Sequence, residues 1–555
     1  MCFGATCSTC SKKSWRGCGS HVPAALAGVP EDKWCTCGPR VTIEGKQYPP
    51  AAKMSMPGLS WLTSMFGGGG GSVARRSSRP APYLFIYLYS NRSSDMLLLN
   101  PLVLGGVCAV LALLYVWRCV TSPLRVLPGP TVSLFSSWML KYHELRAHRT
   151  QYVHGLHLRY GPVVRIAPNE VSFASAEGIK EIYGSGGSGY DKTEFYDLFK
   201  IYGRRTTFTT LNKEDHARRK RIIADRYANS NILKPESLGG IKERSKRFIE
   251  RCSKSVGGSI DIFVTLDDSL QNRLIQHYSP VLHGVIGSVL SLFSKPRQTP
   301  LADDLVLSAS AKASAAPFTL LSRLQSAGVG AGGLAHLDVA AECLDHMAAG
   351  IDTTGDALCF LMWELSQPRS RAVQQRLQAE LRAGAELALD RLPFLDAVVC
   401  EGLRCFPAIP MSLPRRVPAG GRAIDGRFVP AGAVVSCQAY SAHRIDAAVF
   451  PDPDAFDPDR WLREPGDLDR KRLFFAFASG GRGCIGKHLA LAEMKVLLRD
   501  VYSRFTTLPD PSMTARDMEM ADQLISSQPR GRKCLLRLIP LDQGPEGGVE
   551  DRPGC

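Results

Sequence analysis

The sequence lacks the compositional extremes that mark non-globular chains. Its 555 residues are 45% hydrophobic and 22% charged, which excludes a chain disordered throughout and a collagen. It also lacks an internal repeat, which excludes a solenoid. Acidic residues are fewer than basic ones, 52 against 68, and the formal net charge is +16. This excess is compatible with nucleic acid, an anionic membrane surface or an acidic protein partner, and charge alone does not choose among them.

The 17 cysteines lack the regular pairing of a secreted, disulfide-rich protein. Six lie in the first 37 residues, and nine are scattered from residue 123 onward. Over so long a stretch, this scatter argues against a disulfide framework. It predicts a reduced, cytosol-facing domain in which most thiols serve as small core side chains.

Residues 1–50 form a compact Cys-rich block. Its cysteines and one histidine come in close pairs, a spacing found in tetrahedral zinc sites. The candidate zinc ligands are Cys7, Cys10, Cys18, His21, Cys35 and Cys37. Disulfides or unligated thiols explain the same spacing, so these alternatives stay open. The block resembles short Cys-rich proteins that stand alone in eukaryotes.

Charged side chains are absent from the 22 residues Met96–Trp117. As a helix this segment would span ~33 Å, against a hydrocarbon core of ~30 Å. It predicts a single membrane anchor rather than a buried helix or a signal peptide, since no A-x-A-type cleavage site follows. Arg118 and Arg125 favour a cytosolic C-terminal domain. The glycine- and arginine-rich linker at 51–95 argues for the opposite orientation.

A glycine-rich segment near the C-terminus carries the most specific chemical signal. The segment FASGGRGCIG fits F-x-x-G-x-R-x-C-x-G, and its fixed residues are Phe477, Gly480, Arg482, Cys484 and Gly486. A cysteine thiolate is a strong electron donor to haem iron, and flanking glycines let backbone N–H groups approach the sulfur. Phe477 would shield that sulfur from water, and Arg482 would hold a haem propionate. The alternative is a structural thiol in a glycine-rich turn.

At these residues the chain resembles the cytochrome P-450 family of haem-thiolate monooxygenases, in its membrane-anchored fungal form. The resemblance covers about residues 96–541. It implies a mainly α fold with small β-sheets, in which Cys484 is the axial ligand of haem b. The implied order is a Cys-rich block at 1–50, a Gly/Ser/Arg-rich linker at 51–95, a transmembrane anchor at 96–117, a monooxygenase domain at 123–541 and a flexible tail at 542–555.

Two further motifs predict a buried ion-pair triad. Glu401 and Arg404 form an E-x-x-R pair on one helix face, which alone is no more than a solvated pair. The segment FDPDRW supplies Arg460. The resemblance implies that these three residues form a structural triad that holds the haem-side core together.

A fourth motif, AGIDTT at residues 349–354, lies within a long helical pattern. Gly350 and two threonines weaken a helix, which suggests a function that offsets this cost. The resemblance implies that Thr353 hydrogen-bonds the activated dioxygen and that Asp352 relays protons from solvent. The alternative is that Thr353 hydrogen-bonds its own helix.

The resemblance also suggests contacts to the haem propionates. His216 and Lys220 lie four residues apart in a basic helical run, and Arg415 follows the E-x-x-R helix. The family often has tryptophan and arginine at the first two positions. Considered alone, the basic run is a solvated face.

Two features depart from the family pattern. Only 137 residues separate His216 from Thr353, and the join at 264–267 looks abrupt, as if part of the substrate roof were deleted. Met96 would be a natural start for an anchored monooxygenase, so we hypothesise that residues 1–95 are a fusion.

The function expected from the resemblance is insertion of one oxygen atom of O2 into a lipophilic small molecule of fungal secondary or aromatic metabolism. NADPH would supply electrons through the flavins of an NADPH-cytochrome reductase. The enzyme would be a single-pass protein of the endoplasmic reticulum membrane, with its catalytic domain in the cytosol and no nucleic-acid partner. There are two alternatives. One is a haem-thiolate isomerase or dehydratase, and the other is a truncated non-catalytic haem protein with an N-terminal zinc-binding interaction module.

Overall fold

The structure is a computed structural model that divides into two units, residues 1–100 and 101–555. It describes residues 3–50 and 101–541, with gaps at 8–9, 11, 17–21, 27–28, 38–39, 44–45, 185–188, 264–273, 275–276, 280–299, 313–315, 317 and 328–333. The predicted linker at 51–95, the start of the anchor at 96–100, the join at 264–267 and the tail at 542–555 lie outside the described residues.

The N-terminal unit is built from two short hairpins around a few aromatic side chains. Its elements are β1 (Phe3–Thr6), β2 (Lys13–Arg16), α1 (Val22–Ala25), β3 (Val41–Ile43) and β4 (Lys46–Tyr48). Strands β1 and β2 pair antiparallel, as do β3 and β4. The core consists of Trp15, Val22, Leu26, Trp34 and Tyr48.

The second unit begins with α2 (Pro101–Thr121), whose apolar side chains such as Leu111, Leu113 and Trp117 are exposed. Residues Leu104–Thr121 are long and apolar enough to cross a membrane. The sequence predicts an anchor over 96–117, whereas the helix continues four residues beyond Trp117. It ends at Thr121 because Pro123 disfavours helical backbone in the residue before it, and Ser122 has ψ of 133°.

The rest of the second unit is mainly helical, as the sequence predicts. Its helices are α3 (Val132–Phe135), α4 (Trp138–Leu145), α5 (Arg149–Tyr160), α6 (Ala176–Tyr183), α7 (Lys213–Ile223), α8 (Asn229–Ile232), α9 (Pro235–Lys254), α10 (Pro300–Ala311), α11 (Leu320–Ala327), α12 (His336–Ser366), α13 (Arg371–Ala383), α14 (Pro393–Cys405), α15 (Ala439–Ala442), α16 (Asp467–Leu473) and α17 (Lys487–Tyr502). Short 3-10 turns, including Pro458–Trp461 and Gly480–Arg482, lie between them.

Small β-sheets flank these helices, which confirms the predicted fold class. The strands are β5 (Val163–Ala167), β6 (Glu170–Phe173), β7 (Asp191–Lys192), β8 (Ser259–Asp261), β9 (Arg415–Arg416), β10 (Arg422–Ile424), β11 (Arg427–Val429), β12 (Val434–Cys437), β13 (Phe505–Pro509), β14 (Met520–Gln523), β15 (Ser526–Pro529) and β16 (Leu535–Pro540). The largest sheet has the order β5-β6-β12-β9-β7, and only its β6–β12 pair is parallel. It brings β7 and β9 side by side.

The main core lies where α12 contacts α14 and α17. Leu361 on α12 and Val398 on α14 are fully buried. Gly402 permits the close approach of the two helices, because a Cβ there would lie 2.8 Å from the Leu361 methyl groups. This contact fixes the helix that carries the E-x-x-R motif.

Candidate haem site

Cys484 lies in a tight loop between the Gly480–Arg482 turn and the start of α17. The Cys484 amide donates to the Phe477 carbonyl over 2.9 Å, which closes the loop. Gly480 has φ of 67°, a left-handed conformation that other residues rarely adopt. The Cys484 side chain is accessible from one side, although the surrounding protein still desolvates the thiol. The loop therefore holds the sulfur at a surface that another group can approach.

Two opposing effects act on the Cys484 sulfur. Burial raises the pKa of the thiol, while the backbone N–H groups of Gly486 and Lys487 and the charge of Lys220 lower it. The backbone donors and the cation stabilise a thiolate. These are the restraints on sulfur basicity that the glycines of the motif predict.

Lys220 lies on α7 and contacts the backbone of the cysteine loop. Its Nζ donates to the carbonyl oxygens of Gly481 and Gly483, each over 3.0 Å. Burial lowers the pKa of this amine and the Cys484 sulfur opposes the shift. The structure thus brings Lys220 to the loop carbonyls, and its predicted propionate contact stays a prediction.

Beside the loop, four basic side chains come together around β7 and β9. Arg482 donates to the Leu211 carbonyl over 3.0 Å and to Asp191 Oδ1 over 3.2 Å, while its buried Nε has no hydrogen-bond partner. Arg415 donates to the Tyr196 hydroxyl over 2.7 Å. The other two members of this basic cluster are Lys192 and His216.

The positive charge of the basic cluster is incompletely balanced. Burial and the neighbouring Lys192, Arg482, Lys220 and Arg415 lower the pKa of His216 to about 3. Burial and the same arginines lower the pKa of Lys192 well below its ordinary value. Neighbouring cations lower one another's pKa values, and an anion bound beside them would oppose this effect.

A cavity of about 120 Å³ adjoins the basic cluster and is lined in part by Tyr183, His216, Arg415 and Arg482. An orphaned guanidinium nitrogen, mutually repelling cations and an adjacent cavity fit a group that carries carboxylates. The two propionates of haem are such carboxylates. Together with a cysteine donor, the residues present therefore fit haem.

The middle of α12 forms the opposite side of the candidate site. Met347 and Ile351 are 46% and 42% exposed, although the residues on both sides of this stretch are buried. Thr353 Oγ1 donates to the Ala349 carbonyl over 2.7 Å, which is the helix-internal bond that the sequence leaves as the alternative. Asp352 is half-buried.

A small apolar cluster ties this helix to the cysteine loop. Ile485, the neighbour of Cys484, packs with Val339 and Cys343 of α12 and with Ile223 of α7. The cysteine loop and the open middle of α12 therefore border the same region. The residues that would hold haem and the motif on α12 therefore lie near one another.

The predicted triad residues meet in a fully buried network. Arg404 makes two hydrogen bonds to Glu401, over 2.8 and 2.9 Å, and Arg460 Nε reaches Glu401 Oε1 over 2.9 Å. The Asp457 amide and the Trp461 indole also donate to this carboxylate, each over 2.9 Å. Burial would raise the pKa of Glu401, but the hydrogen bonds and charge of Arg404, together with the charge of Arg460, lower it.

Sequence reasoning missed two residues near the site. Lys192 is buried with its Nζ 2.5 Å from the Phe208 carbonyl, and nothing in the segment YDK marks it as unusual. His443 accepts from the Phe475 amide over 2.8 Å and contacts the Arg404 carbonyl over 3.1 Å. It links the triad to the strand-like segment that leads into the cysteine loop. Only its burial, which the local pattern does not show, could have revealed it.

Comparison with known proteins identifies the class. A family model described as Cytochrome P-450 matches residues 282–535, and a domain of unknown function (DUF8730) matches residues 1–49. The similarity of residues 282–535 to the cytochrome P-450 family agrees with the resemblance that the sequence motifs give.

Among its curated relatives are fungal proteins of similar length. Cytochrome P-450 monooxygenase stcB of Emericella nidulans is 29% identical over 75% of this chain and 89% of its own. Cytochrome P-450 monooxygenase tazI of Aspergillus terreus is 27% identical over 77% and 96%. Cytochrome P-450 monooxygenase aflV of Aspergillus parasiticus is 27% identical over 75% and 92%.

Proposed function

We propose that this protein is a haem-thiolate monooxygenase that inserts one oxygen atom of O2 into a lipophilic small molecule. The exposed Cys484 sulfur, held in its loop beside the unbalanced basic cluster, carries this proposal. The relatives named as monooxygenases support the reaction class. When bound, haem supplies the iron at which O2 is activated, with one oxygen atom going to substrate and the other to water.

The cysteine side of the site would bind and hold the cofactor. Cys484 would ligate the iron, and the N–H groups of Gly486 and Lys487 would temper the donor strength of the sulfur. Arg415, Arg482 and His216 would hold the propionates. Phe477, packed against the main core, would keep water from the sulfur.

The α12 side would deliver protons. Thr353 Oγ1 is engaged with the Ala349 carbonyl, so a rotation about χ1 would be needed to present the hydroxyl to dioxygen. Asp352 would pass protons from solvent to this hydroxyl, since an acid and an alcohol one residue apart can relay them.

The candidate substrate-lining segments are 343–354, 408–413 and 522–528. Two contacts support this choice: β15 packs against α12, and the Ser527 amide donates to the Ala408 carbonyl over 3.2 Å. Met347 and Ile351 supply exposed apolar surface, which favours a lipophilic substrate. Asp522 and Ser527 are buried polar residues in the third segment, and Asp522 accepts a hydrogen bond from the Thr150 amide over 2.8 Å.

Electrons would come from NADPH through a flavin-containing NADPH-cytochrome reductase at the endoplasmic reticulum membrane, with the catalytic domain in the cytosol. The basic run on α7 is a candidate docking face for this reductase. Of its arginines, Arg218 and Arg221 are exposed, whereas Arg219 turns inward and donates to the Arg205 carbonyl. Arg218 and Arg221 therefore remain the candidates for contact with an acidic partner.

The decisive experiment is the reduced, carbon-monoxide-bound absorption spectrum of the full chain in detergent. Wild type should show the Soret band of thiolate ligation, and Cys484→Ala should lose it. Cys400→Ala, at a half-buried cysteine on α14, is the matched control and should keep the band. Retention of the band in Cys484→Ala would show that another residue ligates the iron.

Haem binding without NADPH- and reductase-dependent turnover would favour the isomerase or dehydratase alternative. Failure to bind haem would favour the non-catalytic alternative.

A further inference from the structure

The N-terminal unit brings four cysteine sulfurs together. The Sγ atoms of Cys7, Cys10, Cys35 and Cys37 all lie within 4.8 Å of one another, and those of Cys10 and Cys35 are 3.4 Å apart. Zinc–sulfur bonds of ~2.3 Å in a tetrahedron separate the sulfurs by about 3.8 Å. A disulfide requires ~2.05 Å. The spacing therefore matches ligands around one metal ion better than a bonded pair.

Two backbone turns place these cysteines. Cys7 and Cys10 lie in the turn between β1 and β2, where the Cys7 amide donates to the Lys12 carbonyl over 2.9 Å. The Cys35 amide donates to the Lys13 carbonyl over 2.8 Å, so the second pair lies against the same hairpin. The Cys37 amide approaches the Cys35 sulfur to 3.5 Å. Each turn thus presents two sulfurs to a common point.

The unit has a small core for its length. Five buried apolar residues, among them Trp15 and Trp34, form its only apolar cluster within the described part of residues 3–50. Chains of this size usually need a disulfide, a metal or a partner to stay folded. A metal at the four sulfurs would join the β1–β2 hairpin to the segment after Trp34.

We propose that Cys7, Cys10, Cys35 and Cys37 bind one zinc ion in a tetrahedral tetrathiolate site that holds the N-terminal unit together. Four protein ligands leave no open position for water or substrate, which makes the site structural rather than catalytic. Binding releases the four thiol protons. Zinc is favoured over ferrous iron because such sites bind it more tightly. Cys37 is exposed and Cys10 half-exposed, which gives the ion a path of entry.

Of the six zinc ligands that the sequence suggests, Cys18 and His21 lie outside the described residues. They supply the matched controls. The purified full chain in detergent should contain about one zinc per chain by elemental analysis, and its iron should equal its haem. Cobalt substitution should give the visible absorption of a tetrahedral thiolate site. Cys7→Ser with Cys35→Ser should lose zinc and keep haem, whereas Cys18→Ser and His21→Ala should keep both.

A measurement on the wild type avoids reliance on variants that fail to fold. Removal of zinc by a chelator should change the fluorescence of Trp15 and Trp34 while the haem spectrum stays constant. Four observations would overturn the proposal: no zinc in the purified chain, cysteines that resist alkylation until reduced, iron in excess of haem that Cys7→Ser removes, or zinc that depends on Cys18 or His21. These results would mean, in turn, that the sulfurs bind no zinc, that they form disulfides, that they bind iron, or that the zinc has other ligands.

Discussion

At the scale of single residues, Lys220 shows how a substitution at a family position can acquire a different contact. Its amine bonds two carbonyls of the cysteine loop. Hydrogen bonds from a charged donor contribute roughly 1.5–3 kcal/mol each when well ordered. Lys220 is only half-buried, so the combined effect on the loop should lie at the lower end of that range.

We therefore expect Lys220→Ala to loosen the loop that carries Cys484. The rate at which haem passes to an apoprotein acceptor should rise about tenfold, and the thiolate Soret band should decay faster on storage. Arg218→Ala, on the exposed side of the same helix, should match wild type. Equal haem loss from the two variants would show that the lysine does not hold the loop.

Asp356 is a second residue whose environment the sequence does not reveal. It lies on α12, is 2% exposed, and burial together with the charge of Asp352 raises its pKa to about 8. An unfolded aspartate titrates near ~3.9. The folded state therefore binds an extra proton between these two values, and the free energy of unfolding should fall as the pH rises through that window.

Asp356→Asn should flatten this pH dependence. Between pH 5 and 8 the slope for wild type should be steeper than that of the variant by up to about 1.4 kcal/mol per pH unit, the effect of one proton. Denaturant unfolding of the two proteins at several pH values measures it. Asp390→Asn, at an exposed site, is the control. Parallel curves for wild type and Asp356→Asn would contradict the expectation.

At the scale of elements, the triad joins α14 to the Pro458–Trp461 turn. Arg460→Ala leaves the buried Glu401 with an incomplete set of partners, which should cost about 3–5 kcal/mol. Arg463, in the same segment, forms an exposed pair with Asp457. Arg463→Ala should cost at most about 1 kcal/mol. Unfolding monitored by circular dichroism compares them, and a similar loss in both variants would remove the special role of the triad.

The elements also show what the sequence could and could not supply. The cysteine loop, the triad and the fold class follow from short motifs whose residues contact one another directly. The sequence could not decide whether Thr353 bonds its own helix or a ligand, because one hydroxyl can do either. The burial of Lys192 and Asp356 depends on neighbours distant in sequence, such as Phe208 for the lysine. Helix α2 ends later than the sequence predicts, because Pro123 stops it rather than the first charged residue, Arg118.

At the scale of the whole molecule, α2 is the one helix among the described residues that is long and apolar enough to cross a membrane. Removal of residues 1–121 should move the protein from the membrane pellet to the soluble fraction while the carbon-monoxide spectrum is retained. Removal of residues 1–95 should leave it in the pellet. Ultracentrifugation followed by spectroscopy tests both. Sedimentation of the shorter chain with the membrane would point to a second surface that binds lipid.

The basic cluster at β7 and β9 also bears on how the protein matures in the cell. Without counter-anions, the charges of Arg415 and Arg482 lie together inside the fold and disfavour protonation of Lys192 and His216. A bound prosthetic group that supplied anions here should therefore stabilise newly made chains. Porphyrin supply should therefore affect how much of the polypeptide escapes proteolysis.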